Sequence, residues 1–319
     1  MFRKLAIGMT DVCSAACDMC CFGCSPKGKN TLEVDLMKDA IRQASESEDM
    51  RAVGFTGGEP FMIFDKLVEC SRYAKSLGLR ITVNTNGFWG RNEKKAREMV
   101  ETLKEAGVER FSFSADRYHQ EFIPIEDLKT ALRVTYAAGL QSEVSIMETK
   151  GSDDIVQMTE ALRPEVYQTT ISNHPMLPVG SALEHVKEGD FIRLFESKDA
   201  RCPFFGLVQL NFDGNYYMCC SQFCKEIPKL KLGNAKEVKL KDLDRAVSSD
   251  DYLYVMLRKG LFWFIALAKK KGFEIPQYLC SACHCCYFVF RNQELLDAIK
   301  EEVTEEAGRL RIQHILGGK

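Results

Sequence analysis

The sequence predicts an α/β protein with a parallel sheet and crossover helices. Short apolar runs alternate with amphipathic stretches from residue 3 to about residue 180. The stretches carry apolar residues at helical spacing, as at Met37, Ala40, Ile41 and Ala44. Polar motifs follow the apolar runs at the points where strands would end. The predicted strands are residues 5–9, 51–55, 79–83, 110–114, 142–147 and 166–171.

Composition indicates a globular chain with one large core and a smaller appended unit. The chain has 319 residues, of which 45% are hydrophobic. Its net charge of -2, with both signs interspersed, lacks the basic stripe of nucleic-acid binders, so we expect no nucleic-acid partner. The longest apolar run, residues 261–268, is too short for a membrane span and predicts a buried helix. The amino terminus lacks the apolar run of a signal peptide, so we expect a cytoplasmic protein without a membrane partner.

A C-x3-C-x2-C loop, formed by Cys13, Cys17 and Cys20, directly follows the first predicted strand. In a reducing compartment, clustered cysteines are more often metal ligands or catalytic groups than disulfides. Three thiolates from one loop suit a four-iron cluster in which one iron stays open to a small molecule. A structural zinc site would need a fourth protein ligand, which Cys21 or Cys24 could supply. On this loop alone both interpretations stay open.

A second motif, Gly57, Gly58, Glu59 and Pro60, ends the second predicted strand. Glycines allow a close approach of the backbone to a ligand. The cysteine loop followed by this segment resembles the radical S-adenosylmethionine (SAM) superfamily. The resemblance implies an open, partial (β/α)6 barrel of the TIM type over residues 1–180.

The same resemblance implies how the cofactors bind. Cys13, Cys17 and Cys20 would hold a [4Fe–4S] cluster whose open iron binds the methionine end of SAM. The Glu59 carboxylate and backbone carbonyls of its segment would hold the SAM ammonium. Met19 departs from the aromatic residue that is usual before the third cysteine.

Polar residues also end the third and fourth predicted strands, at residues 84–87 and 114–116. The carboxyl ends of parallel strands form the active face of β/α barrels, so we predict that these groups surround one mouth. By resemblance to the superfamily, Asn86 and Ser114 contact the SAM ribose, and residues 178–180 lie near the adenine. An ordinary role in a turn is the alternative for each of them.

A second cysteine system follows a charged stretch at residues 181–201, which we predict to be a bridge between domains. Residues 202–219 predict a hairpin with its turn at 213–215. The pattern C-x11-G-x4-C with a later C-x2-C resembles the short auxiliary-cluster domain, of the SPASM or twitch type, in radical SAM peptide-modifying enzymes. The resemblance implies a second [4Fe–4S] cluster in residues 202–319, with the ligands Cys202, Cys219, Cys280 and Cys283.

Alternatives to this ligand set remain open. A zinc ribbon could use the same four thiolates, and Cys285 or Cys286 could replace a ligand because both are close to Cys283 in sequence. Cys70 lies in a predicted helix and is most simply a packing residue. Cys21, Cys24 and Cys224 have no role that the sequence assigns.

Cys220 is the candidate hydrogen-atom donor. Successive side chains of a strand point to opposite faces, so Cys220 would face away from a cluster bound by Cys219. A free thiol with an ordinary pKa of about 8.5 is mostly protonated near pH 7 and can give up a hydrogen atom.

A narrower resemblance is carried by motifs at residues 17–22, 86–90, 114–119, 219–220 and 257–259. They are similar to motifs of the radical SAM epimerases that convert L- to D-residues in ribosomally made peptides. The resemblance implies that the 5'-deoxyadenosyl radical takes a Cα hydrogen and that Cys220 returns one. The implied partners are a precursor peptide and an electron donor such as flavodoxin or ferredoxin. The alternatives are thioether or carbon–carbon cross-linking of a peptide and a non-catalytic electron-transfer role.

Overall fold

One nine-stranded sheet runs through the molecule. The computed structural model describes residues 2–203 and 206–317. Its strands are β1 (Lys4–Gly8), β2 (Ala52–Thr56), β3 (Arg80–Thr85), β4 (Val108–Ser114), β5 (Gln141–Glu148), β6 (Thr170–Pro175), β7 (Phe195–Glu196), β8 (Leu207–Leu210), β9 (Asn215–Tyr217), β10 (Lys231–Asn234) and β11 (Tyr278–Leu279). The order in the large sheet is β10-β9-β8-β1-β2-β3-β4-β5-β6, and β7 pairs with β11 separately.

Helices connect the parallel strands and cover the carboxyl-terminal part. They are α1 (Val34–Ser45), α2 (Phe64–Ser76), α3 (Glu93–Glu105), α4 (Arg117–Gln120), α5 (Ile125–Ala137), α6 (Asp154–Ala161), α7 (Ala182–His185), α8 (Leu240–Ser249), α9 (Asp251–Lys259), α10 (Leu261–Lys270), α11 (Ala282–Phe290), α12 (Gln293–Ala298) and α13 (Lys300–Ile315). Strands β1 to β6 are parallel and sequential, with helices in every crossover. The predicted α/β fold with an open six-stranded partial barrel is confirmed.

The predicted strand positions match the structure for five of the six strands and shift for the last. Residues 166–171 were expected to be a strand, but Glu165–Gln168 forms a 3-10 turn and β6 begins at Thr170. The turn is closed by the Tyr167 amide, which donates to the Pro164 carbonyl at 3.2 Å, and by the Thr169 amide, which donates to the Val166 carbonyl at 3.3 Å. Val166 is therefore a buried turn residue. An apolar residue in a turn cannot be distinguished from a strand residue by its sequence alone, so the strand was predicted too early.

The carboxyl-terminal part continues the barrel sheet. β8 pairs in parallel with β1, with Leu5 opposite Val208, and β9 turns back antiparallel to β8. Gly214 has φ +77° in the predicted turn, a conformation that favours glycine, so the predicted hairpin is confirmed. The predicted bridge also contributes structure, because β7 pairs with β11. The domain limits at residues 180 and 202 stay a prediction.

The longest apolar run lies in α10 and buries Leu261, Phe264 and Ile265. The predicted buried helix is therefore confirmed. None of the helices in the described part of the chain is both long and apolar enough to cross a bilayer.

An aromatic stack holds the segment after β2 against the end of β3. The Phe61 and Trp89 rings lie 4.7 Å apart between centroids at 15°, and each residue is 4% exposed. The Trp89 indole N–H donates to Thr85 Oγ1 at 3.0 Å. Because Phe61 follows Gly57–Pro60 so closely, this stack fixes the position of the glycine segment.

We expect Phe61→Ala to lower the free energy of unfolding by about 3–5 kcal/mol, because it leaves a cavity beneath the glycine segment. Denaturant titration of the anaerobic protein measures the change. Phe262→Ala is the matched control: Phe262 is 39% exposed, and its loss should cost about 1 kcal/mol or less. Equal losses in the two variants would contradict a special role for the stack.

Candidate active site

A cavity of about 270 Å³ lies at the carboxyl ends of the barrel strands. Residues from the first five strand ends and from the loop after β9 surround it. They include Cys13, Cys17, Cys20, Cys21, Cys24, Gly57, Gly58, Asn84, Thr85, Asn86, Ser114, Asp116, His119, Ser145, Met147, Cys220 and Gln222. The predicted grouping of these motifs around one mouth is confirmed, whereas the role of each residue remains a prediction.

The cysteine loop is held against its neighbours by backbone hydrogen bonds. The Cys13 amide donates to the Ser25 carbonyl at 3.0 Å, and the Cys20 amide donates to the Cys17 carbonyl at 2.9 Å. The Cys24 amide lies 3.3 Å from Cys20 Sγ. Together these bonds fold the three thiols onto one side of the cavity.

The three loop thiols differ in acidity. A hydrogen bond from the Cys24 thiol lowers the pKa of Cys20 to about 6. Burial raises the pKa of Cys13 to about 12 and also raises that of Cys17. A thiolate is the form that binds iron, so Cys20 is prepared for ligation before metal arrives. Cys24, to which the sequence assigned no role, supports Cys20.

Only glycine fits at positions 57 and 58. Gly57 has φ +136°, and a Cβ there would lie 2.5 Å from the Thr10 carbonyl oxygen. A Cβ on Gly58 would lie 2.3 Å from the Val12 carbonyl oxygen. The Gly58 amide also donates to the Thr10 carbonyl at 2.6 Å. The two glycines thus bring their backbone against the cysteine loop and into the wall of the cavity.

Glu59 lies behind that wall. Its carboxylate accepts hydrogen bonds from the Phe61 amide at 3.1 Å, Thr85 Oγ1 at 2.9 Å and the Asn86 amide at 2.7 Å. Glu59 is fully buried and does not line the cavity. The ammonium contact that the resemblance implies for Glu59 stays a prediction. Pro60 is also buried, where it begins a 3-10 turn.

Asn86 connects the end of β3 to the cysteine loop. Its side-chain amide donates to Ser14 Oγ at 3.0 Å and approaches Cys13 Sγ at 3.7 Å. Ser114 lines the same cavity one strand further on. The segment at 178–180 packs against the cysteine loop, where the Ser181 amide donates to the Cys20 carbonyl at 3.0 Å. Its predicted place near the adenine stays a prediction.

A buried Asp–His pair also borders the cavity. Asp116 accepts hydrogen bonds from the amides of Tyr118 and His119, each at 3.1 Å, and lies 2.9 Å from His119 Nδ1. Burial lowers the pKa of His119, but the charge and hydrogen bond of Asp116 outweigh burial and raise it. From the sequence, Asp116, Tyr118 and His119 lie where a substrate could bind, with a solvated loop as the alternative. The signal that could have found the pair is the Asp at a strand end, three residues before the His.

The second cysteine system is assembled in part. Cys219 and Cys283 are buried, and the Ser221 hydroxyl hydrogen-bonds the Cys283 thiol. Cys202 is close enough to Cys283 to raise its pKa. Cys280 directly follows β11, and its amide donates to His284 Nδ1 at 3.4 Å, one residue from Cys283. The ligand set of four cysteines stays a prediction.

The Cys219-Cys220 doublet does not lie in a strand, so the alternation on which the Cys220 prediction rested is wrong. β9 ends at Tyr217, because the chain turns at Ser221, where the Cys224 amide donates to the Ser221 carbonyl at 2.9 Å. The two side chains nevertheless separate. Cys219 is buried away from the cavity, and Cys220 lines it.

The residues present fit a four-iron cluster and SAM. Among the described residues, no group of three Cys, His, Asp or Glu side chains is arranged around a single ion. Each thiolate of a four-iron cluster binds a different iron, so cluster ligands need not meet at one point. Cys13, Cys17 and Cys20 would hold the cluster, and the glycine backbone and Asn86 would face SAM.

The fold is that of radical SAM domains: a partial β/α barrel with a three-cysteine loop at the carboxyl ends of its strands. Residues 7–144 match the family model of the Radical SAM superfamily. This part of the chain is therefore a radical SAM domain, followed by a cysteine-rich carboxyl-terminal region.

Particular relatives span nearly the whole chain. The Bacillus subtilis (strain 168) protein named "Putative peptide biosynthesis protein YydG" is 26% identical over 308 residues, covering 93% of this chain and 95% of that protein. SuiB of Streptococcus suis, bound to precursor peptide SuiA, has a TM-score of 0.59 at 17% identity, covering 89% of this chain and 76% of that chain. The structure of anSMEcpe with AdoMet and Cp18Cys peptide has a TM-score of 0.57 at 14% identity, covering 97% and 100%. The two structural likenesses establish the fold alone.

We expect the wild-type chain to hold two four-iron clusters, or about eight iron atoms. Combined replacement of Cys13, Cys17 and Cys20 by Ala should remove about four of them and all SAM cleavage. Iron and sulfide analysis with electron paramagnetic resonance (EPR) measures the first effect, and 5'-deoxyadenosine release measures the second. Cys70→Ala, in the core of α2, should change neither. SAM cleavage that survives the triple replacement, or zinc in place of the second cluster, would contradict this assignment.

The burial of Glu59 can be tested through the pH dependence of the free energy of unfolding. Burial raises the pKa of Glu59 from 4.5 to about 7, and the three hydrogen bonds to it oppose that rise. The folded protein therefore holds a proton between these pH values that the unfolded chain releases. We expect the free energy of unfolding to fall as the pH rises from 4.5 to about 7, by up to about 1.4 kcal/mol per pH unit.

Glu59→Gln should lack the part of this decrease in the free energy of unfolding that comes from Glu59. Urea titrations without SAM, at a series of pH values, measure the difference. Glu98→Gln replaces an exposed carboxylate and should keep the wild-type slope. Identical slopes for the wild type and Glu59→Gln would contradict the raised pKa.

Proposed function

We propose that this protein is a radical SAM enzyme that converts L-residues to D-residues in a ribosomally made peptide. A relative named for peptide biosynthesis, aligned over nearly the full length, supports a peptide substrate. Structures of the same fold hold peptides, as in SuiB with SuiA, so the fold can accommodate such a substrate.

The position of Cys220 is the observation that carries the proposal. Its side chain lines the same cavity as Cys13, Cys17 and Cys20. Burial raises the pKa of Cys220 to about 11, although the nearby Lys4 lowers it. The thiol therefore keeps its hydrogen at neutral pH, which a hydrogen-atom donor requires.

When bound, the reduced cluster and SAM supply a 5'-deoxyadenosyl radical that can take a hydrogen atom from carbon. Cys220 then provides the second half of the inversion. Its S–H bond breaks, the hydrogen atom goes to the opposite face of the planar Cα radical, and a thiyl radical remains on Cys220. One electron from a donor such as flavodoxin or ferredoxin, with one proton, restores the thiol.

Cys224 is in the same loop as Cys220, but its burial and its contacts make it a less suitable hydrogen-atom donor. Cys224 is fully buried, and its Sγ lies 4.0 Å from Gln209 Oε1, away from the cavity. Cys21 and Cys24 do line the cavity, but Cys24 is engaged with Cys20. Among the thiols that line the cavity, Cys220 is therefore the one that comes from outside residues 13–24.

We expect Cys220→Ala to form 5'-deoxyadenosine but to make at least about tenfold less D-residue product than the wild type. The reason is that SAM binding uses the cysteine loop, whereas the returned hydrogen comes from Cys220. In heavy water the wild-type product should carry solvent deuterium at each inverted Cα, because the thiol exchanges with solvent between turnovers. Mass spectrometry and chiral amino-acid analysis of peptides encoded beside the gene measure both.

Cys224→Ala is the matched control from the same loop and should keep deuterium uptake and D-residue formation. Full activity of Cys220→Ala would move the donor role to Cys21 or Cys24. A product that weighs two hydrogens less than the substrate and carries no deuterium would contradict epimerisation and indicate cross-linking of the peptide.

A further inference from the structure

The inner face of the barrel sheet is polar. Successive side chains of a strand point to opposite faces, so each barrel strand contributes to two surfaces. The outer surface packs in the apolar core with residues that are at most 1% exposed: Leu5, Ile7, Val53, Phe55, Ile81, Val83, Phe111, Phe113, Val144 and Ile146. The inner surface carries polar residues that are all partly or fully accessible: Lys4, Thr82, Asn84, Arg110, Ser112, Ser114, Glu143, Ser145 and Ser172. A closed β/α barrel fills its interior with packed side chains, whereas this open barrel keeps an interior that suits a polar ligand.

Polar side chains are connected across this inner face, beginning at β1. Lys4 Nζ donates a hydrogen bond to Thr82 Oγ1 on β3 at 3.3 Å. Gly54 of β2 lies between the two strands, and a Cβ there would lie 3.1 Å from Lys4 Cε. The glycine therefore leaves the space in which the lysine side chain crosses β2. Thr82 in turn pairs in register with Arg110 of β4.

An ion pair continues the connection to the last barrel strand. Arg110 Nη2 pairs with Glu143 Oε2 on β5, and Ser172 Oγ on β6 donates to Glu143 Oε1 at 2.7 Å. Both oxygens of this carboxylate are thus engaged. The five residues that cross the sheet form the polar row: Lys4, Thr82, Arg110, Glu143 and Ser172. It contains two cations and a single carboxylate, so positive charge is in excess.

Both cations of the polar row have hydrogen bonds left to make. An ammonium group has three N–H donors, and in the described part of the chain Lys4 has no carboxylate within ion-pair distance. Arg110 Nε is buried without a hydrogen-bond partner among the described residues. The Arg110 side chain is nevertheless 44% exposed, so its guanidinium group reaches the open interior. Excess positive charge with unused donors favours an anionic ligand.

The polar row lies beneath the candidate active-site cavity. Asn84 and Ser145 line that cavity, and each follows a residue of the row by two positions on the same strand, Thr82 and Glu143 respectively. A rise of about 3.3 Å per residue puts the row about 7 Å below the cavity. An acidic side chain that points down from the cavity, together with a hydrogen bond of about 2.9 Å, spans this depth.

We propose that the polar row binds the carboxylate of an aspartate or glutamate side chain of the peptide substrate. This inference rests on the proposed peptide substrate and specifies one of its residues. Lys4 and Arg110 donate to the carboxylate, because a guanidinium group matches its planar geometry. Glu143 and Ser172 position the arginine. A neutral side chain would leave both cations without a counter-charge, so the row selects peptides with an acidic residue at or beside the one in the cavity.

The test measures peptide binding to the full chain with its clusters, without SAM or reductant. The probe is the precursor peptide encoded beside the gene, carrying a fluorescent label, and anisotropy gives its dissociation constant. We expect Lys4→Gln and Arg110→Gln each to weaken binding by at least about tenfold. Arg97→Gln is the matched control, because Arg97 forms an exposed ion pair with Glu93 on α3, and it should bind as the wild type does.

A second series changes the peptide instead of the protein. Each Asp or Glu of the peptide is replaced in turn by Asn or Gln. One replacement should weaken binding to the wild type by at least about tenfold, yet change binding to Arg110→Gln by less than about twofold, because the same contact is already lost. This series uses the wild-type chain and so decides the question even if a variant fails to fold. Circular dichroism establishes which variants are folded.

Three results would overturn the proposal: folded Lys4→Gln and Arg110→Gln that bind like the wild type, a peptide replacement and Arg110→Gln whose effects simply multiply, or weakening only when the peptide's carboxyl terminus is amidated. A wild type that binds no peptide would overturn both this inference and the peptide substrate. Binding without SAM involves no inversion, so carboxylate-dependent binding would stand even if the D-residue experiment failed.

Discussion

The structure depends on the pairing of β1 on both of its edges. Lys4–Gly8 bonds to β2 on one side and to β8 on the other, so the barrel and the cysteine-rich region share a single sheet. The cysteine loop leaves β1 at its carboxyl end, and β8 leads into the hairpin and the loop that carries Cys220. One buried strand therefore sets the distance between the candidate SAM site and the candidate hydrogen-atom donor.

The second constraint is the buried hydrogen-bond network of Glu59. Its carboxylate joins the turn after the glycine segment to the end of β3, through Thr85, Asn86 and Phe61. Trp89 extends the network by donating to Thr85. Above its raised pKa of about 7, the ionised Glu59 carboxylate accepts all three hydrogen bonds and donates none. The network holds the glycine backbone at the cavity wall, so Glu59 positions the site from behind.

Thiols serve different purposes here according to their surroundings. Cys20 receives a hydrogen bond from Cys24 and becomes acidic, which favours binding to iron. Cys220 is partly buried near Lys4, and its raised pKa keeps the thiol protonated, which favours hydrogen-atom transfer. Cys70 is surrounded by core side chains and only packs. The same side chain is thus suited to iron ligation, to hydrogen-atom transfer or to packing, and burial together with its neighbours decides which.

The sequence by itself determined the fold class, the first five strands and the grouping of the cysteine loop, Gly57, Gly58 and Asn86 at one mouth. These follow from local periodicity and from the rule that parallel strands end on the same side. Tertiary structure alone decided the rest. It buried the Glu59 carboxylate in a hydrogen-bond network beneath the glycine segment and put the Cys219-Cys220 doublet in a loop. The physical reason is that each of these depends on contacts between segments far apart in the chain, and residue spacing carries no record of such contacts.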